Sequence, residues 1–158
     1  MLFETPEQFV NTLPREARLL GLDVGEKTIG LALSDRMRSI ATPLETIKRN
    51  KLGNDISHIK TVIAAHQICG LVVGYPVNMD GSQGPRTQSV RTFVLNVQKH
   101  IDLPVLLWDE RLSTMAVQRT MLDADLSRAR RAELVDKLAA SYILQGCLDR
   151  LNTIVAKP

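Results

Sequence analysis

Acidic residues stand at three places where the pattern calls for an apolar side chain. In LLGLDVGEKTIGLALSD, Asp23 sits near the end of one apolar run, and the glycine-punctuated turn Val24-Gly25-Glu26-Lys27-Thr28 leads into a second run from Ile29 to Leu33. In LLWDERLST, Asp109 and Glu110 end a further apolar run, just before Ser113. Asp136 has Ala139, Ala140, Ile143 and Cys147 at helical spacing behind it, so it shares an apolar stripe. A carboxylate buried alone is costly, and each of these needs a partner. A lysine or arginine could pair with each one separately. Three convergent acids, however, repel and raise one another's pKa unless a cation sits among them. Oxygen-only donors suit Mg2+ or Mn2+. Two such ions about 4 Å apart can activate a water and stabilise the leaving oxygen of a phosphodiester. Asp109 and Glu110 are neighbours and face opposite ways in a regular strand, which leaves open which of them meets Asp23.

The elements that must hold these acids follow from periodicity. Residues 1–16 read as a short helical lead-in, with Thr5 and Pro6 at its start and Pro14 as its stop. Strands are expected near 18–24, 28–34 and 40–46, with joins that suit antiparallel hairpins. A helix is expected over 54–67, spaced by Ile56, Ile59, Ile63 and Ala64 and ended by Cys69-Gly70. Leu71–Gly74 and Val105–Trp108 are short and without alternation, as strands buried on both faces are. Between them a helix runs through Val90, Phe93, Val94 and Val97. Ser113 can cap a helix to about Leu122, and a last helix covers roughly Ala132 to Leu151. The sum is one α/β domain over 17–158, a mixed five-stranded sheet of three antiparallel hairpin strands and two parallel ones, with helices on its faces.

The totals agree with that picture. The chain has 158 residues, 44% of them apolar but only 4% aromatic, so aliphatic side chains must form most of the core. No apolar stretch approaches the roughly 20 residues that cross a bilayer, and MLFETPEQFVNTLPREAR lacks the continuous apolar segment of a signal peptide. Cys69 and Cys147 lie far apart and read as buried reduced thiols, which points to a cytoplasmic protein. The net charge of +3 permits a polyanionic partner without requiring one. Arg36, Arg38, Lys48, Arg49 and Lys51 form one basic group and Arg128, Arg130 and Arg131 another, either of which could be plain solvated surface.

Several loop residues are candidates for holding a phosphate backbone. Gly25 and Gly30 flank Lys27, although a plain hairpin accounts for that turn equally well. The polar loop from Tyr75 to Gly84, with Asn78, Asp80 and Ser82, lies between a buried strand and a helix N-terminus, where α/β sheets bind ligands. Arg86 and Arg91 follow on that helix, and Arg111 stands beside Glu110, able to hold a phosphate or to form a structural ion pair. His58, His66 and His100 lack metal-ligand spacing, and Trp108 and Tyr142 read as core residues. With so few aromatics, binding must rest on the nucleic-acid backbone more than on stacked bases.

DVGEKTIG, GYPVNMDGSQG, WDERLST and VDKLAASYILQ, in this order, resemble the YqgF (RuvX) family of bacterial proteins from about Leu19 to Leu151. The resemblance implies a ribonuclease H-like fold related to the RuvC resolvase. It implies a nuclease associated with 5′-end maturation of pre-16S ribosomal RNA, acting with Mg2+ or Mn2+. Its acidic residues fall on Asp23, Glu110 and Asp136. The family often has serine after the last aspartate, where this chain has Lys137.

Structured RNA, with ribosomal precursor particles as a setting, is thus favoured over branched DNA. A monomer or weak homodimer is expected, since no dimer seam is visible. An actin-like nucleotide-binding protein is a further possibility, because DVGEKTIG resembles that superfamily's first phosphate loop. Such proteins generally enclose the nucleotide between two domains, and this chain has room for one. A non-catalytic nucleic-acid-binding module is opposed by the presence of all three acids.

Overall fold

The computed structural model describes the backbone of residues 1–76, 80–112 and 128–156, and the side chains of 1–76, 80–111 and 138–155. In chain order the elements are β1 (Leu2–Phe3), α1 (Pro6–Val10), β2 (Arg18–Val24), β3 (Thr28–Ser34), β4 (Ala41–Lys48), α2 (Leu52–His66), β5 (Ile68–Tyr75), α3 (Pro85–Gln98) and β6 (Val105–Asp109). A 3-10 turn over Glu110–Leu112 and the long helix α4 (Arg128–Ala156) complete the described residues. The expected helix over 113–122 lies outside them.

One sheet has the order β1-β6-β5-β2-β3-β4. β2, β3 and β4 pair antiparallel, and β5 and β6 run parallel to β2. The sheet has six strands where the sequence suggests five, because Leu2 and Phe3 pair parallel with Val105 and Leu106. Two residues are too few to show any period, so the lead-in reads as helix alone. The α1 helix ends at Val10, before Pro14. The Thr12 backbone and hydroxyl both donate to the Phe9 carbonyl, turning the chain earlier than the proline would. α2 also stops sooner than expected. Gln67 takes a left-handed conformation, φ 54°, and its N–H closes on the Ile63 carbonyl. Cys69 and Gly70 therefore belong to β5, and Val62 rather than Ala64 completes the buried face of α2.

β2 and β5 are covered on both faces, which explains their lack of alternation. Leu20, Leu22, Leu71 and Val73 pack with Ile59, Val90 and Phe93 under α2 and α3. On the other face Leu19, Val72, Leu106 and Trp108 pack with Ala140, Ile143, Leu144 and Leu148 of α4. Phe3 and Phe9 join that second cluster, which ties residues 1–16 to the sheet. β4 is the open edge, largely exposed, and Pro43 within it limits further strand pairing. Cys147 is buried and Cys69 half-buried, both as free thiols. Trp108 is a core residue as expected, whereas Tyr142 is only half-buried and lines a surface cleft with Glu4 and Glu7. No helix among the described residues is long and apolar enough to cross a membrane.

α4 lies unusually close to the sheet at Gly21. A Cβ there would stand 2.8 Å from Leu144 Cβ and 3.2 Å from the Ala140 carbonyl oxygen. Neither atom can swing aside, so Gly21→Val should cost about 1–3 kcal/mol by forcing the helix off its seat. Urea midpoints of the two proteins measure this directly.

Candidate active site

Alternation along β2 decides where Asp23 points. Leu20, Leu22 and Val24 belong to the core under α2 and α3, while Leu19 and Gly21 face α4. Asp23, two residues beyond Gly21, therefore faces α4 as well. Its side chain is 15% exposed. Leu22 pairs with Val73, so Asp23 comes level with Gly74 on the neighbouring parallel strand. A Cβ on Gly74 would stand 2.5 Å from Ile143 Cδ1 and 3.5 Å from the Glu110 carboxyl carbon. The Glu110 carboxyl thus sits over the missing side chain of Gly74, on the sheet face that Asp23 occupies.

That geometry separates the two acids the sequence left undecided. Asp109 ends β6 opposite Tyr75, whose ring belongs to the core on the α3 side. Its carboxylate accepts from Arg111 Nη2 at 2.7 Å, from Nε at 3.1 Å and from the Arg111 backbone N–H at 2.9 Å. The Arg111 guanidinium holds its pKa below the ordinary carboxylate value, against the opposing effect of burial. Glu110 begins the 3-10 turn, where the chain leaves strand geometry and the side chain comes over Gly74. Arg111 accordingly makes the structural ion pair, and its Nη1 lies 3.7 Å from a Cβ position on Gly81.

α4 runs antiparallel to β2. Asn152 donates to the Arg38 carbonyl and Arg38 to that of Ala17, before β2 begins. Gln145 accepts from the Ala41 N–H, and Ala140 and Leu144 lie over Gly21. Asp136 stands in the same helix one turn before Ala140; its side chain lies outside the described residues. One helical turn advances about 5.4 Å, close to the roughly 6.6 Å between Gly21 and Asp23 along the strand. The backbone of α4 therefore reaches the level of Asp23 near residue 136.

The phosphate candidates divide. Arg86 Nη2 lies 3.7 Å from Asp23 Oδ1, with the arginine side chain 53% exposed. Lys27 is exposed at the tip of the first turn. Asp80 accepts from both the Ser82 N–H at 2.9 Å and its hydroxyl at 2.6 Å, and the hydroxyl bond holds its pKa low. Ser82 is therefore engaged in its own loop, and Gly84 occupies the N-cap of α3. Asn78 lies outside the described residues. Arg91 binds Tyr75 Oη and Glu4, which fastens α3 to the N-terminal lead-in. Neither Gly25 nor Gly30 takes a positive φ; among the described glycines Gly81 does, φ 88°. Of the first basic group, Arg36 pairs with Gln67 and Arg38 holds the carbonyls of Pro14, Arg15 and Ala17. Arg49 is the member the sequence could not single out. It donates to the Gly25 carbonyl at 2.9 Å and stacks 5.4 Å over the Phe93 ring, beside the turn that follows Asp23.

A parallel run β1-β6-β5-β2 continued by the antiparallel strands β3 and β4, with an acid near the end of β2, defines a ribonuclease H-like α/β fold. Thermus thermophilus RuvC, solved in complex with a Holliday junction substrate, superposes with a TM-score of 0.53 at 17% identity, over 87% of this chain and 97% of that one. The profile of a family described as "RuvX: Holliday junction resolvase" matches residues 17–150, and the chain belongs to that family. A Rhodobacter capsulatus protein is 58% identical over 92% of this chain and 91% of its own length. A Ruegeria pomeroyi protein is 51% identical over 98% and 100%. Both carry the name "Putative pre-16S rRNA nuclease".

The Asp109–Arg111 pair gives a pH test. Asp109 titrates lower in the folded than in the unfolded chain, so its contribution is complete above about pH 4 and fades as pH falls through the folded value. Asp109→Asn should therefore be less stable than the parent chain at pH 7, with the difference shrinking as pH falls below about 4. Urea midpoints across that range measure it.

Proposed function

We propose that this chain is a divalent-metal-dependent endonuclease that hydrolyses phosphodiester bonds in the 5′ extension of pre-16S ribosomal RNA. One observation carries the chemistry: the carboxylates of Asp23 and Glu110 occupy the same sheet face, at the C-terminal ends of β2 and β6 on either side of β5, and beside α4. The substrate rests on the names of relatives that match over nearly their whole length.

The donor set fits a hard cation. Asp23 and Glu110 offer only oxygen, and the Glu110 carboxyl lies against Gly74, which is level with Asp23. Asp136, brought by α4 to the level of Asp23, is the third acid of the proposed set. Bound Mg2+ or Mn2+ would lower the pKa of a coordinated water and stabilise charge on the leaving oxygen. The chain's own part is to fix these acids on rigid elements. Trp108, buried just before them in β6, and the apolar face of α4 limit water on one side. Arg86, half-exposed beside Asp23, balances its charge and can turn to a phosphate. Lys27, Asp80 and Ser82 lie in the loops that follow β2 and β5, and with Asn78 they are proposed to meet the RNA backbone. Arg91 and Arg111, tied to Glu4 and Asp109, are proposed to shape this surface more than to bind the strand. The cytoplasm, where ribosomal precursors are made, is the proposed location.

Branched DNA is the second reading, favoured by the description of the matching family. Cleavage of a 5′-extended pre-16S RNA and of a four-way DNA junction, run side by side with Mg2+ or Mn2+, separates the two. We expect RNA cleavage that EDTA abolishes and that Asp23→Asn lowers at least a hundredfold, the several kcal/mol that metal-assisted catalysis supplies. Junction cleavage alone would assign the site to DNA, and unaltered cutting by Asp23→Asn would remove the acids from the mechanism.

A further inference from the structure

Beside Asp23 the surface falls into a cleft of about 590 Å3, lined by Val24 and Gly25 on one side, Pro85, Arg86 and Ser89 of α3 on another, and Arg49. We propose that this cleft seats backbone phosphates adjacent to the one being cut, with Arg49 and Arg86 as its two cationic walls. The inference rests on the nuclease reading and adds to it a binding subsite and a residue, Arg49, that none of the four sequence motifs contains.

Three features of Arg49 support the assignment. Its guanidinium is already ordered, stacked over Phe93 and donating one N–H to the Gly25 carbonyl, so little side-chain freedom is lost on binding. That bond uses one of five donors, and a planar guanidinium presents the others in a fork that matches phosphate oxygens. Arg49 is also only half-buried, which leaves the group accessible from the cleft. Arg86 reaches the same cleft from α3 at 3.7 Å from Asp23, a separation too long for a strong hydrogen bond. A cation bound by Asp23 would release it to the phosphate at little cost. Glu26 is the one acid among the lining residues and opposes a polyanion there.

The measurement is binding of a short fluorescein-labelled single-stranded RNA to the full chain in EDTA, read by anisotropy across a series of salt concentrations. Removing one phosphate contact should flatten the slope of log affinity against log salt by about 0.7 and weaken binding roughly tenfold at low salt. Arg49→Gln and Arg86→Gln should each do so, and Arg49→Lys should keep the slope, because it keeps the charge. Glu26→Gln should bind more tightly than the parent, an effect that loss of folding cannot imitate. An unchanged slope in Arg49→Gln, or weaker binding in Glu26→Gln, overturns the subsite and leaves the nuclease reading standing. Failure of the parent chain to bind RNA at all overturns both.

Discussion

Close contact between α4 and the sheet is the constraint on which the rest depends. A helix normally packs about 10 Å from a sheet, with side chains from both filling the gap. Here Gly21 and Gly74 withdraw the sheet's share on adjacent strands, and Ala140, Ile143 and Leu144 fill the space from the helix. The approach has two consequences. It sets the height and register of α4 along β2, and it seats Ile143 over Gly74 with the Glu110 carboxyl alongside. Packing and the gathering of the acids are thus one structural event.

The electrostatics are divided to suit that event. Several acidic and basic residues around the strand ends could neutralise one another at random, but the chain pairs them in a definite pattern. Arg111 holds Asp109 through three donor contacts. Arg91 is committed to Tyr75 and Glu4 on the far side of α3. Between Asp23 and Arg86 the contact is long and half-exposed, a kind of ion pair that is weak in water.

The strands, the main helices and the acid at the end of β2 were legible because each rests on a local pattern. Leu71-Val72-Val73 has no alternation because both faces are covered, and that can be seen without a structure. What escaped depends on distant partners or on too few residues. The edge strand Leu2–Phe3 exists because β6 offers it an edge, and two residues carry no period. Periodicity alone could not tell Asp109 from Glu110, for which only the family resemblance spoke, because their directions depend on the 3-10 turn and on contacts with β5 and α4. Arg36, Arg38 and Arg49 look alike in sequence, yet only Arg49 borders the cleft beside Asp23; the other two hold loops. Composition cannot sort arginines whose roles are set by residues 20 or more positions away.

Single-turnover cleavage by Glu110→Gln and by Asp109→Asn, measured against the parent chain on the same RNA precursor, tests the central claim most directly. The two acids are neighbours, and only their directions distinguish them. The account predicts a loss of at least a hundredfold in Glu110→Gln, with near-parental cleavage by Asp109→Asn at a temperature where both remain folded. Loss of cleavage in Asp109→Asn with retention in Glu110→Gln would contradict it, and would move the site to the opposite face of the sheet.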